Sequence, residues 1–272
     1  MQLADVKLSS LFLLCLQRLA RLLDSHAAAV TRLPPSLKDA LRAVATASGR
    51  LRASSLPCLL HGQVRELELG RCDLDRACLE VLQTCSGLTK LDLSCFAGVA
   101  RSFDCSALAS LFPCLPLLTT LNLNYVVSAD DGVTEAVTRH CPRITTLYLQ
   151  GCAAITDVSL HWMPALRHLQ VLNISHTKVT DAGMVHLLNA CGKQLHKLFI
   201  ANCANLTRVT FVAVVRNWVC LERLVCDGCP FEDRQLHREI ELREREAKRH
   251  NSRAASCPAR ATSEHSEAEE TN

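Results

Sequence analysis

Aromatic residues are scarce in this chain: Trp, Tyr and Phe together make up 4% of its 272 residues. With 49% of the residues apolar, that balance suits a leucine-packed solenoid better than a β-sandwich. Charge of one sign is missing too, since 30 Lys and Arg stand against 27 Asp and Glu and the formal net charge is +3. Nucleic acid is therefore not an expected partner. Long hydrophobic runs are lacking as well. In LSSLFLLCLQRLA the unbroken apolar stretch runs only from Leu11 to Leu16, and Arg18, Arg21 and Asp24 follow at once. This argues against a signal peptide and a membrane span, so the expected location is cytoplasmic, nuclear or both, with no membrane partner. A Gly-rich phosphate loop and a paired-carboxylate motif are also missing. The expectation is a protein that is not an enzyme, with no catalytic residues and no cofactor.

What the chain does contain is repetition. The phrase L-x-x-L-x-L is written seven times, as VRELEL at Val64, LTKLDL at Leu88, LTTLNL at Leu118, ITTLYL at Ile144, LQVLNI at Leu169, LHKLFI at Leu195 and LERLVC at Leu221. The starts lie 24, 30, 26, 25, 26 and 26 residues apart, the period at which strand-plus-helix units stack. Alternate residues of a strand point to opposite faces, so Leu67 and Leu69 go inward while Glu66 and Glu68 go outward. A single unit cannot bury its apolar side, and stability comes from stacking neighbours. The predicted fold class is α/β, a right-handed leucine-rich-repeat solenoid with a parallel strand plus a helix per repeat, closed by an N-terminal helical cap. Thr or Asp in segments such as AITDVSL (Ala154 to Leu160) and KVTDAGM (Lys178 to Met184) can cap the helices.

Cysteine follows the repeat. Three positions after the phrase stand Cys72, Cys152, Cys203 and Cys229, with Thr177 in the fifth repeat, and Cys85, Cys141, Cys191 and Cys220 precede the next phrase. Such phasing reads as buried thiols in a reducing compartment, not as a disulfide scaffold. Cys226 and Cys229 form a C-x-x-C, but no second pair lies nearby and both fall on repeat positions, so a metal site is not expected.

This pattern resembles the cysteine-containing leucine-rich repeats of F-box receptors and of antagonist-of-mitotic-exit-network homologues. The order of apolar helix, PPSLKD segment, short linker and V-x-x-L-x-L is similar to the latter family from about Leu8 to Asp233. No clear F-box is present. Leu8, Leu11, Cys15, Leu19 and Leu22 recur on one helical face, which in the plainer reading is a capping helix over the first repeat. The same stretch resembles an elongin-binding box through Ser10, Leu11, Cys15 and Leu19, and Leu33, Pro34, Leu37 and Leu41 resemble a cullin box downstream of it. In receptors of that kind the leucine enters a pocket on elongin C, a helix-in-groove mode of recognition. The resemblance implies the substrate-recognition subunit of a cullin-RING ubiquitin ligase, docked on elongin B/C and a cullin or alternatively on the F-box adaptor. A protein substrate would sit on the repeats. A binding protein that inhibits or sequesters a cell-cycle partner is the alternative.

The expected organisation is a cap over 1–62, about seven repeats over 63–233, a charged helical extension over 234–250 and a disordered tail over 251–272. The pair Glu239 and Arg243 typifies the extension, read as an exposed helix. Residues Phe96 to Phe112 read as an enlarged loop, with a helix beginning near Ser106. Outward strand positions should form rows across the concave face. The middle row reads Glu68, Asp92, Asn122, Tyr148, Asn173, Phe199 and Val225, flanked in its later half by Val171, Lys197 and Arg223. Alternation puts Tyr148 and Phe199 in solvent, and with Val171, Lys197, Arg223 and Val225 they form the predicted target-binding patch.

Overall fold

The computed structural model describes residues 10–49, 51–52, 54–95, 101–231, 238, 240–246 and 249. Four helices come first: α1 (Ser10–Arg21), α2 (Ala27–Thr31), α3 (Pro35–Ala47) and α4 (Leu56–Leu59). Strands and helices then alternate through β1 (Glu66–Glu68), β2 (Leu74–Asp75), α5 (Arg76–Leu82), β3 (Lys90–Asp92), β4 (Arg101–Ser102), α6 (Cys105–Ala109), β5 (Thr120–Asn122) and α7 (Asp131–His140). The series continues with β6 (Thr146–Tyr148), α8 (Asp157–Trp162), β7 (Val171–Asn173), α9 (Asp181–Cys191), β8 (Lys197–Phe199), α10 (Arg208–Arg216) and β9 (Arg223–Val225).

Each phrase forms one strand. The seven lie in a single parallel sheet in the order β1-β3-β5-β6-β7-β8-β9, and the short β2 and β4 pair separately. The register aligns the central leucines, so Leu67, Leu91, Leu121, Leu147, Leu172, Leu198 and Leu224 stack as one ladder with at most 5% of their surface exposed. Burying one such side chain stabilises the fold by about 1.5–3 kcal/mol. The solenoid expected from the spacing is the fold found here, and its core is one continuous cluster running from the N-terminal helices to the last repeat.

The helices begin where the sequence supplies caps. Asp75, Asp104 and Asp130 accept the N–H three residues on, at the starts of α5, α6 and α7. From α8 onward the cap is Thr156, Thr180 or Thr207, accepting from the N–H two residues on. These threonines are held in turn by the preceding repeat. Asp131 accepts from the Thr156 N–H and hydroxyl at 2.9 and 2.6 Å, Asp157 from those of Thr180 at 2.7 and 2.6 Å, and Asp181 from those of Thr207. Asp131 and Asp181 also accept from the N–H and hydroxyl of Ser159 and Thr210, respectively. Adjacent repeats are thereby joined by a ladder of carboxylates beside the helix starts.

All the repeat-phased cysteines but one take the buried positions predicted for them; Cys220, just before the last phrase, is exposed. Cys72, Cys85, Cys141, Cys152, Cys191, Cys203 and Cys229 are buried. Cys152, Cys203 and Cys229 donate to the last carbonyl of the preceding phrase, at Leu123, Ile174 and Ile200, over 3.1, 3.3 and 3.0 Å. A thiol suits this place because it is small and apolar yet carries one weak donor. Cys226 and Cys229, the C-x-x-C pair, are both buried in the last repeat.

Two ends differ from expectation. In α1 the packed face is Leu16 and Ala20, with Leu23 beyond the helix end, whereas Cys15, Leu19 and Leu22 lie on the solvent side. The capping contact is therefore made by the face one residue away from the one read in the sequence. At the other end, residues 240–246 are helical and packed against the last repeat. Ile240 is buried, the Arg243 guanidinium lies 5.9 Å from the centre of the Trp218 ring, and Glu244 accepts the Leu224 N–H at 3.0 Å. Among the described residues no strand follows β9 to receive that N–H, and a carboxylate takes the acceptor role. The extension is thus partly anchored, not a wholly exposed helix. The 251–272 tail lies outside the described residues, as do 96–100 of the enlarged loop; α6 begins at Cys105, next to the predicted Ser106.

Candidate protein-binding surface

Strand pairing places the outward residues in two rows. One runs Glu66, Lys90, Thr120, Thr146, Val171, Lys197, Arg223; the other runs Glu68, Asp92, Asn122, Tyr148, Asn173, Phe199, Val225. The six residues of the predicted target patch are therefore contiguous on β6, β7, β8 and β9. Lys197 and Arg223 are exposed. Tyr148, Phe199, Val171 and Val225 are half-buried, which corrects the expectation that the two aromatics stand in solvent. The physical reason is crowding: each ring lies between side chains of adjacent strands, which come about 4.8 Å apart.

Three polar members of the second row are turned to the backbone. Asp92, Asn122 and Asn173 accept the N–H two residues on, from Ser94, Asn124 and Ser175, at 2.8, 3.0 and 3.0 Å. Asn122 also donates to Asp92 at 3.0 Å, and Asn173 is only 8% exposed. They shape the exit from each strand, as Asn and Asp do in turns. Tyr148, Phe199 and Val225, which cannot do this, remain for contact, together with the exposed Glu68 at the other end of the row.

A further row was not read from the sequence. Two residues after each phrase from the third to the seventh, the backbone is left-handed, at Tyr125, Gly151, His176, Asn202 and Gly228, with φ between 53° and 73°. Glycine and asparagine accept this conformation readily, but tyrosine and histidine do so at about 1–2 kcal/mol. Both side chains are exposed. A Cβ on Gly151 would come within 2.3 Å of the Tyr125 ring, so the glycine makes room for the tyrosine. The Tyr125 hydroxyl accepts from Gln150 Nε2 at 2.7 Å, and His176 Nε2 lies 3.3 Å from Asn202 Nδ2. The repeat-phased offset was present in the sequence, but only the dihedral angles distinguish it.

At the N-terminal end, Cys15 and Leu19 of the elongin-box pattern face solvent, Leu19 with 40% of its surface exposed. The side chains of Ser10 and Leu11 lie outside the described residues. Within the cullin-box pattern, Pro34 is exposed before α3, and Leu33 and Leu37 are half-buried. Leu41 is fully buried on the face that also buries Ala45, so it serves the core and is corrected as a docking residue. Between α3 and the first strands opens a cavity of about 580 Å³ whose lining includes Asp39, Arg42, Glu66, Glu68, Arg71 and Asp92. Asp39 binds Arg42 at 2.8 Å and His61 at 3.0 Å. None of the cavity's lining residues is a cysteine, serine or histidine. Burial pushes the thiols of Cys141 and Cys152 up to about 12 and that of Cys191 to about 11, so at neutral pH they are protonated and unreactive. Among the described residues, no group of three or more His, Cys, Asp or Glu is placed to hold a metal ion, and no helix is long and apolar enough to cross a membrane.

The relatives agree with this geometry. Residues 165–188 match the leucine-rich-repeat family. Over 156 residues the chain is 29% identical to antagonist of mitotic exit network protein 1 of Eremothecium gossypii, a match covering 56% of this chain and 39% of that one. Over 195 residues it is 27% identical to an F-box/LRR-repeat MAX2 homolog of Oryza sativa subsp. japonica, covering 68% and 23%. The chain thus spans well under half the length of these relatives. Among solved structures, internalin C2 of Listeria monocytogenes superposes with a TM-score of 0.53 at 17% identity, over 80% of this chain and 88% of that one, which speaks to the fold alone. One strand per phrase and one buried leucine ladder give the chain a leucine-rich-repeat fold, and its sequence is similar to the antagonists of the mitotic exit network.

Proposed function

We propose that the chain is a non-catalytic substrate receptor of a cullin-RING ubiquitin ligase, acting in the cytoplasm or nucleus. Its N-terminal helix docks on elongin B/C, and its concave face holds a target protein for ubiquitin-dependent degradation. The observation that carries the docking half is the orientation of α1: Leu16 and Ala20 are packed, while Cys15 and Leu19 remain available to a partner. A helix whose cap face and box face are different faces can close the solenoid and enter a groove at once. The target half rests on the aromatic, aliphatic and cationic residues gathered on β6 to β9, the residue types that anchor protein interfaces. Likeness to a relative named for F-box and leucine-rich repeats supports a ubiquitin role, and likeness to an antagonist of mitotic exit supports a cell-cycle target.

Co-expression with elongin B/C tests the docking. The unmodified chain is expected to co-purify with both elongins, and Cys15→Glu with Leu19→Glu to lose them at an unchanged melting temperature. If the unmodified chain recovers no elongin, the receptor reading fails and sequestration of a partner takes its place. Recovery of the F-box adaptor instead keeps the ligase role and moves the docking site. For an identified target, Tyr148→Ala and Phe199→Ala should each weaken binding by about 1–3 kcal/mol.

A further inference from the structure

Charge is divided along the solenoid. From residue 64 to 95, six Asp and Glu stand against four Lys and Arg; from 170 to 231, six Lys and Arg stand against three Asp and Glu. One of those three, Asp181, already accepts from Thr207 and Thr210. Glu222 is half-buried and Asp227 is exposed at the strand-exit rim of the last repeat. The concave face follows the same division. Lys90, the cation of the early strands, is paired with Glu66 at 2.7 Å. Lys197 and Arg223, partners in register on β8 and β9, are exposed and make no ion pair among the described residues.

Beside these cations the same two strands present Phe199 opposite Val225, both half-buried. Beyond that pair comes the rim, where His176 and Asn202 are held left-handed and exposed. The strip thus reads cation, then apolar, then polar rim across β7 to β9. Its net sign and its apolar stripe together select a class of ligand.

We propose that this strip binds an extended acidic segment of the partner protein, with carboxylates on Lys197 and Arg223 and an apolar side chain against Phe199 and Val225. The inference rests on the concave-face reading given above and adds the chemistry of what is bound. Neighbouring strands lie about 4.8 Å apart and an extended chain advances about 3.3 Å per residue, so acidic residues two positions apart can reach both cations. The acidic early half of the face disfavours the same segment, which fixes the binding site to one end of the solenoid.

The probe is a fluorescein-labelled twelve-residue peptide of alternating Glu around a Leu-Phe pair, with the same peptide carrying Lys for Glu as its counterpart. Fluorescence anisotropy on the full chain should show binding of the acidic peptide only, weakening as salt rises. Lys197→Glu with Arg223→Glu should weaken it at least tenfold. Lys178→Glu with Lys193→Glu makes the same change in net charge at exposed positions off the two strands and should alter binding less than threefold. Equal loss in both pairs, no loss in the first pair, or preference for the lysine peptide overturns the proposal. So does oligothymidylate binding as tightly with the same losses, which would mean a general polyanion surface. If a true target is released by Phe199→Ala yet indifferent to reversal of Lys197 and Arg223, the acidic segment is wrong while the concave-face reading stands. Indifference to both sets of changes removes the concave face itself.

Discussion

Replacing Asp181 by alanine tests whether the carboxylate ladder holds the repeats together. Four donors lose the carboxylate: the N–H and hydroxyl of Thr207 and of Thr210. Thr207 is exposed, so water replaces the carboxylate there; Thr210 has no exposed surface, and although its N–H keeps the Thr207 carbonyl at 3.1 Å, its hydroxyl is left unsatisfied. At about 1–3 kcal/mol for a buried donor left without an acceptor, the expected cost is about 1–3 kcal/mol. For a domain of this size that lowers the melting temperature by roughly 2–12 °C. Asp157→Ala is the internal comparison. Its repeat has Gly183 where the others have Ser159 and Thr210, a glycine on which a Cβ would come within 2.4 Å of Asp157, and only the two Thr180 bonds are lost. Its cost should be nearer about 1 kcal/mol.

The pH dependence of this contribution has a definite sign. Burial opposes the charge of Asp131 and of Asp181, yet the hydrogen bonds from Ser159 and Thr156, and from Thr207 and Thr210, hold both carboxyls below the ordinary aspartate value. A depressed folded value means stability that is present above the ordinary value near about 4 and lost as pH falls through the folded one. Urea unfolding of the wild type and of Asp181→Ala at several pH values should therefore show a gap that is full at neutrality and closes only in acid. Equal costs for Asp157→Ala and Asp181→Ala, or a gap that does not change in acid, would refute the ladder as its source.

Thiol titration separates buried from exposed cysteines: Cys15 and Cys220 should react with a disulfide reagent in the native state, and Cys141, Cys152 and Cys191 only at the rate of unfolding, as mass spectrometry of the labelled peptides would show. Gly151→Ala should destabilise by about 1–2 kcal/mol, because its backbone is left-handed and its Cβ meets the Tyr125 ring. Adding Tyr125→Ala should recover part of that loss in a double-mutant cycle, and full additivity would show that the ring is not the obstacle.

Most of the fold was legible because its causes are local and repeated. Inward leucines at fixed spacing specify strands of one register, and Thr156 and Thr180 cap helices whatever lies beyond them. All the repeat-phased cysteines except Cys220 were readable as buried thiols for the same reason. That Lys197, Phe199, Arg223 and Val225 share one face was legible, since alternation alone puts them there. The true exposure of that face was not, because crowding by adjacent strands half-buries Tyr148 and Phe199.

Other features depend on contacts that no local pattern encodes. A helix with apolar residues on more than half its circumference, as in α1, can be packed on either of two faces, and the neighbour α3 selects Leu16 and Ala20. Leu41 looked like a docking residue until α3 was seen to turn it into the core. Asp92, Asn122 and Asn173 looked outward by alternation, yet the nearest unsatisfied donor was a backbone N–H two residues on. Glu244 read as one more solvated charge, and only the unpaired edge of β9 gave it a partner. Sequence by itself determined the period, the register and the buried ladder, since those follow from side-chain alternation within a single repeat. Tertiary structure decided which of the remaining faces and polar groups are consumed by neighbours, because that depends on the donors and surfaces brought alongside by other repeats.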